Sequence, residues 1–146
     1  MICLFLNHNV KIIHIRHLIY HTFDFVYEAS KLKINIILSF HDFYFTCPTI
    51  HLIDDKGIYC KGKCSNSKRE CPQPFNFSKR IKKLKNKWIN KWREEVKNIF
   101  CLIDTFITTS EYTKNRYLQL FDVLQNKEFF IVQHGRDFNC KPLQTS

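Results

Sequence analysis

Short apolar runs alternate with amphipathic stretches along the first forty residues. Residues 11–18 and Asn35–Phe40 are rich in β-branched residues and predict two strands. Residues 22–32 lie between them and place their apolar side chains at helical spacing, with Thr22 as a candidate cap. The second strand is apolar throughout, which is typical of a strand covered on both faces. The pattern therefore predicts one βαβ unit.

The second half of the chain continues this alternation. Residues 78–99 place their apolar positions on one helical stripe, and Thr105–Thr108 is a short β-prone run. Ser110 is a candidate cap for a further helix, and residues 128–132 form a fourth predicted strand. The order predicts a single α/β domain, which is a Rossmann-like, three-layer arrangement with a mainly parallel sheet and helices on both faces.

Residues 45–77 show no period and predict a long irregular loop, which is uncommon in a compact domain unless it is functional or cross-linked. Four cysteines lie in it: Cys47, Cys60, Cys64 and Cys71. Four thiolates can hold a structural zinc ion, although the paired spacing typical of such sites is absent. Reduced thiols and disulfides are the alternatives. Disulfides are less favoured, because the sequence shows no secretory signal.

The charge and glycine content limit the classes of function. The chain has 146 residues and a net charge of +10, and residues 79–97 hold nine Lys or Arg against two Glu. This stretch is either a solvated helix face or a basic surface for anionic lipid, phosphate or nucleic acid.

Only 3 glycines are present, which excludes a glycine-rich phosphate loop. No apolar run is long enough to cross a bilayer, so a cytoplasmic location is expected.

Polar residues follow three of the predicted strands. His17 follows the first strand, and His41 and Asp42 follow the second. The fourth strand is followed by His134, Gly135 and Arg136. Because ligands bind outside the carboxyl ends of parallel strands, these groups predict a site at one edge of the sheet.

Each candidate residue has a chemical role at such an edge. The imidazole of His41 can stabilise negative charge that develops on a leaving group. Asp42 can orient that ring or meet an acceptor hydroxyl, and Tyr44 can form an apolar wall. Arg136 can contact a phosphate through two parallel hydrogen bonds.

Five segments together resemble a known enzyme family. They read IIHIRHL, SFHDFYFTCP with the cysteine-bearing insertion, KWREEV, DTFITTSEYTKNRY and IVQHGRDF, and they span residues 11–137. In this order and spacing they resemble family 4 of the retaining glycosyltransferases, which have the two-domain GT-B fold. Arg16 departs from the pattern, since the family often has a histidine there.

The resemblance implies that residues 1–138 are part of the N-terminal, acceptor-side domain, with residues 139–146 as a tail into the interdomain linker. It places His41 near the transferred sugar and its phosphates. It also implies that the donor-binding domain, which carries most of the nucleotide-sugar site, is not in this sequence. We therefore expect an incomplete half of a GT-B enzyme, which is inactive as an enzyme alone.

The function implied is the retaining transfer of a hexose from a nucleotide-sugar to a saccharide or lipid-linked acceptor, with no cofactor needed for catalysis. A lipid-linked acceptor would bring the basic stretch to an anionic membrane at its inner face. Two alternatives stay open. One is a basic, metal-stabilised module that binds nucleic acid, for which no recognised sequence pattern appears. The other is a catalytically dead remnant that binds a partner.

Overall fold

The structure is a computed structural model. It describes residues 8–19, 21–47, 50, 52–53, 58–62, 64 and 85–133, and the side chains at 85–88 are outside this description. The statements below concern these residues.

Four parallel strands form the centre of the fold. They are β1 (Ile12–Ile15), β2 (Asn35–Phe40), β3 (Thr105–Thr108) and β4 (Glu128–Ile131), and their order in the sheet follows the chain. Each strand pairs in parallel with the next one along the sequence. The predicted parallel, Rossmann-like α/β arrangement is therefore confirmed.

Three helices connect the strands. They are α1 (Asp24–Lys31), α2 (Lys85–Leu102) and α3 (Glu111–Leu120), and a 3₁₀ turn at Asp122–Leu124 precedes β4. Crossovers between parallel strands are right-handed, so helices that join neighbouring strands in sequential order lie on the same face. The packing agrees, because residues of all three helices contribute to one apolar core.

Aromatic side chains fill this core. Phe40 at the end of β2 stacks on Tyr117 of α3, with ring centroids 3.8 Å apart. Phe100 of α2 meets the edge of the Phe40 ring at 5.6 Å, and Phe106 of β3 stacks on it at 5.3 Å. One residue at the end of β2 is thus tied to two helices and to the neighbouring strand, which fixes the position of the segment that follows it.

The other face of the sheet is open within the described part of the chain. Ile12 and Phe130 on this face are 58% and 50% exposed. Ile37, Ser39 and Ile107 lie on the same face, because side chains alternate along a strand and the parallel register aligns them. The second helical layer that was predicted for this face stays a prediction.

The ends of four elements differ from those predicted. Strand β4 stops at Ile131, one residue before the predicted end. Strand β1 stops at Ile15, because the chain turns at Arg16 and His17. Thr22 does not cap α1: the N-cap is Phe23, without a side-chain cap bond, and the prediction for Thr22 was wrong. Helix α2 continues to Leu102, while residues 78–84 lie outside the described residues.

The predicted cap of α3 is confirmed. Ser110 has extended backbone angles, and its hydroxyl accepts the backbone N–H of Thr113 at 3.2 Å. Glu111 lies in the first turn, where a carboxylate complements the positive end of the helix dipole. The start of α3 is therefore set by local sequence.

Candidate functional site

The first two strands end in adjacent polar pairs at the carboxyl edge of the sheet. Arg16 and His17 follow β1, and His41 and Asp42 follow β2. Each residue of the first pair contacts one residue of the second. Arg16 Nε donates to His41 Nε2 at 3.4 Å, and His17 Nε2 lies 2.9 Å from Asp42 Oδ2. The polar residues that follow β1 and β2 therefore form two separate pairs.

The hydrogen bonds of His17 assign its tautomer. Its Nδ1 accepts the backbone N–H of Ile19 at 2.9 Å, so the ring proton of neutral His17 is on Nε2 and points to Asp42. The other carboxylate oxygen of Asp42, Oδ1, accepts the backbone N–H of Tyr44 at 2.7 Å. Each oxygen of Asp42 thus has a partner other than His41, so this carboxylate orients His17 and caps the turn that follows β2.

Two buried tyrosines support this turn. Tyr44 is 6% exposed, its ring lies 4.8 Å from that of His17, and its hydroxyl donates to the carbonyl of Leu18 at 3.4 Å. Burial, with a contribution from the charge of Asp42, raises the pKa of Tyr44 to about 12. Tyr117 of α3 donates to the carbonyl of Asp42 at 2.7 Å, and burial raises its pKa well above the usual value. Tyr44 is therefore a buried residue beside His17 and does not line the cleft described below, and its role as an apolar wall stays a prediction. The contribution of Tyr117 was not foreseen.

A cleft of about 350 Å³ opens beside the other pair. The side chains that line it come from β1, β2 and β3 and from the segments that follow the four strands: His14, Arg16, Ser39, Phe40, His41, Ile107, Thr108, Thr109, Val132 and Gln133. His14 Nε2 and the buried Ser39 Oγ are 2.7 Å apart. The cleft thus joins the carboxyl edge of the sheet to its open face.

The structure distributes the predicted site residues over these two places. His41 lines the cleft, whereas His17, Asp42 and Tyr44 form the hydrogen-bonded cluster beside it. His134, Gly135 and Arg136 lie outside the described residues.

Sequence reasoning missed Arg16 and His14 as site residues. Arg16 is the first residue after β1 and carried the same positional signal as His17. His14 could be recognised only from the register, because it bonds to Ser39 of the neighbouring strand.

The cysteine loop gives no support for the predicted zinc ion. Within the described residues no group of three or more His, Cys, Asp or Glu could hold a metal, and Cys71 lies outside them. Cys47 is buried in a small apolar cluster with Leu52 and Ile89, and Cys64 is exposed. Of the other described cysteines, Cys60 is half-buried and Cys101 is exposed.

An arginine holds the described part of this loop against α2. Arg93 Nε donates to the carbonyl of Thr46 at 3.0 Å, and its Nη2 donates to that of Gly62 at 2.6 Å. Gly62 has a φ of +68°, and a Cβ there would lie 2.9 Å from a methyl carbon of Thr46. The close approach and the left-handed backbone both require glycine.

The basic stretch is only partly described. Lys91 is exposed, while Lys97 pairs with Asp122 at 2.7 Å, which raises the pKa of the lysine. At least two basic residues of the stretch, Arg93 and Lys97, therefore have structural partners. No helix in the described residues is long and apolar enough to span a membrane.

Comparisons with known proteins add no assignment. No family model, curated protein or solved structure matches the chain. The function is therefore argued from the resemblance of the sequence motifs and from the geometry of the site.

Proposed function

We propose that this chain provides the acceptor-side half of a retaining glycosyltransferase, which moves a hexose from a nucleotide-sugar to a saccharide or lipid-linked acceptor. The observation that carries the proposal is the pairing of Arg16 with His41 in a cleft at the carboxyl edge of a parallel sheet. Open α/β sheets bind their ligands at this edge. The five sequence motifs that resemble family 4 supply the choice of reaction.

The proposed reaction breaks the bond between the sugar C1 and the diphosphate oxygen. A new bond forms between C1 and the acceptor oxygen on the same face of the sugar, and the acceptor proton passes to a leaving phosphate oxygen. Negative charge therefore develops on the diphosphate. Donors and cations that are already in place at such a position stabilise it without reorganisation.

His41 and Arg16 are suited to that position. Because Nε2 of His41 accepts a hydrogen bond from Arg16, the proton of the neutral imidazole is on Nδ1. In the proposed reaction this N–H donates to a phosphate oxygen of the leaving group. A guanidinium group is charged throughout the physiological pH range. In this proposal both residues act on the leaving group, and no metal ion is needed there.

His17 and Asp42 have a positioning role in the proposed mechanism. Both carboxylate oxygens of Asp42 are hydrogen-bonded within the protein. It is therefore poorly placed to take a proton from an acceptor. Its bonds instead hold the turn that presents His41, together with the bond from Tyr117 to the Asp42 carbonyl.

The proposal is tested by mapping ligand contacts on the ¹⁵N-labelled chain by NMR. A panel of nucleotide-sugars should shift the amide signals of Arg16, His41 and Thr109, with weak affinity because the donor-binding domain supplies most of the contacts. Arg16→Gln should reduce these shifts, and Lys91→Gln on α2 should leave them unchanged. Shifts confined to other surfaces, or none at millimolar ligand, would contradict the proposal.

A further inference from the structure

Two exposed tyrosines meet where the loop that follows β2 reaches helix α3. The hydroxyl oxygens of Tyr59 in the loop and Tyr112 in the first turn of α3 are 2.9 Å apart. The two residues are 38% and 58% exposed. Neither of them lines the cleft or packs against an apolar core cluster. The packing of the core therefore does not explain this pair.

Two cationic side chains accompany the tyrosines. Arg116, one turn after Tyr112 on α3, lies within hydrogen-bonding reach of both phenol oxygens, and Lys61 is exposed nearby. The pKa of Tyr112 is lowered, first by hydrogen bonds with Tyr59 and Arg116 and then by the charges of Arg116 and Lys61. These four side chains form the tyrosine surface, which favours negative charge at the hydroxyl of Tyr112.

The tyrosine surface has more hydrogen-bond donors than acceptors. One phenol donates to the other, so one of the two phenol protons is left for a further acceptor. Arg116 Nη1 donates to Gln119 Oε1 at 2.9 Å, and its Nε is buried without a partner in the described part of the chain. Lys61 has no hydrogen-bond or ion-pair partner among the described residues. A ligand that brings acceptors would satisfy these donors.

The positive charge of the tyrosine surface is not neutralised by a carboxylate of the described residues. Glu111 precedes Tyr112, but no hydrogen bond or ion pair joins it to Arg116 or Lys61. Uncompensated positive charge at a surface favours a partner of negative charge. A carboxylate has this charge and offers two acceptor oxygens, which can meet separate donors.

The surface also offers apolar contact area on a fixed loop. Ile58 precedes Tyr59 in the loop and is 59% exposed. Tyrosine and arginine are enriched among the residues that dominate binding interfaces. Arg93 of α2 holds the loop through the carbonyl of Gly62, next to Lys61, at 2.6 Å. Because the loop is held in place before a partner binds, less ordering is needed on binding.

We infer that the tyrosine surface is a docking site for an acidic peptide segment of a partner protein. A carboxylate of the segment contacts Lys61 and Arg116 and accepts the remaining phenol proton, and a neighbouring apolar side chain packs on the tyrosine rings and Ile58. A peptide places acidic and apolar side chains next to each other, as this surface requires. Nucleic acid instead needs a longer track of cations along its backbone. The inference does not rest on the proposed function, since the surface shares no residue with the cleft.

The test measures binding of the ¹⁵N-labelled complete chain to a capped pentapeptide of four glutamates around a central leucine. By NMR, this peptide should shift the amide signals of the tyrosine surface, whereas versions with glutamine or lysine in place of glutamate should not. Arg116→Gln should weaken binding about fivefold, as loss of an exposed ion pair can. Lys114→Gln removes the same charge from α3 and should have less than about a twofold effect, because Lys114 lies over the ring of Phe129. Tyr112→Phe keeps the ring, removes one phenol proton and should also weaken binding.

Four results would overturn the inference. Equal binding of the glutamate and glutamine peptides would show that the carboxylates are not recognised. Equal binding by the Arg116 and Lys114 variants, or no shift at the tyrosine surface with millimolar peptide, would remove this surface as the site. Tighter, Arg116-dependent binding of an oligouridylate of the same charge would assign the surface to nucleic acid. None of these results bears on the cleft, where the proposed function is read from the signals of Arg16, His41 and Thr109.

Discussion

The hydroxyl of Tyr117 is a single contact that links helix α3 to the candidate site. It donates to the backbone carbonyl of Asp42 at 2.7 Å from a ring that is completely buried against Phe40. Without it, a partly buried carbonyl loses its partner, and such a loss costs about 1–3 kcal/mol when water does not replace the donor. The position of His41, one residue before Asp42, therefore depends on a residue 75 positions away in sequence.

Tyr117→Phe is accordingly predicted to lower the free energy of unfolding by about 1–3 kcal/mol, measured by urea denaturation. Tyr112→Phe is the control. Its hydroxyl also forms a hydrogen bond, to Tyr59 at 2.9 Å, but it is exposed to solvent. Its loss should cost less than about 0.5 kcal/mol. Equal losses in the two variants would show that the hydrogen bond of Tyr117 contributes no more to the free energy of unfolding than the exposed bond of Tyr112.

The same buried phenols predict a loss of stability at alkaline pH. The pKa of Tyr44 rises from 10.0 to about 12 on folding, and that of Tyr117 is raised well above 10.0. Because the folded state disfavours the phenolate, this stabilisation is complete below pH 10. It is lost as the pH rises from 10 toward 12, where the unfolded chain releases protons and the folded chain keeps them.

The measurement is urea unfolding between pH 8 and pH 11, compared in the wild type and the variant with both Tyr44→Phe and Tyr117→Phe. The difference in stability between the two proteins should shrink above pH 10. Lysine titration affects both proteins equally and cancels in that difference. A difference that stays constant with pH would contradict the assignment of buried, protonated phenols.

At the scale of the elements, two hydroxyl residues predicted as helix caps have different outcomes. Ser110 caps α3, while Thr22 precedes α1 without bonding to it. The difference arises from tertiary packing. Phe23, which occupies the cap position of α1, packs against Trp92 of α2 with ring centroids 5.0 Å apart, and this contact fixes where the helix begins.

Substitution of these two residues tests the distinction directly. Ser110→Ala should lower the free energy of unfolding by about 0.5–2 kcal/mol, and Ser110→Asp should retain most of the stability because its carboxylate can accept the same N–H. Thr22→Ala is the matched control and should change stability little. If Thr22→Ala were as costly as Ser110→Ala, the observed start of α1 would be wrong.

The sequence predicted the strands better than the site. Strands β2 and β3 have the predicted bounds, since apolar runs with turn signals on both sides leave little choice of limits. Site residues were predicted from their position after a strand, and the structure places His41 and Asp42 directly after β2. The pairing of Arg16 with His41, and of His17 with Asp42, depends on which side of the sheet each side chain faces. The side is set by the register, which is the choice of paired residues between neighbouring strands. No single segment of the sequence determines that choice.

At the scale of the whole molecule, the packed core and the proposed binding cleft lie in different parts of the described fold. The helices and the aromatic core occupy one face, and the cleft opens at the carboxyl edge toward the other. Of the basic residues on which the nucleic-acid alternative rests, Lys97 and Arg93 have structural partners. The glycosyltransferase hypothesis rests on the residues that line the cleft.

The central claim is that His41 acts in sugar transfer at this cleft. The most direct measurement is the rate of labelled hexose transfer by a polypeptide that joins this chain to a donor-binding domain, with and without His41→Ala. We expect the substitution to lower turnover by about a hundredfold or more, as loss of a preorganised donor does. His8→Ala, an exposed histidine on the amino-terminal side of β1, should keep the normal rate. A near-normal rate with His41→Ala would remove this residue from the mechanism and contradict the account.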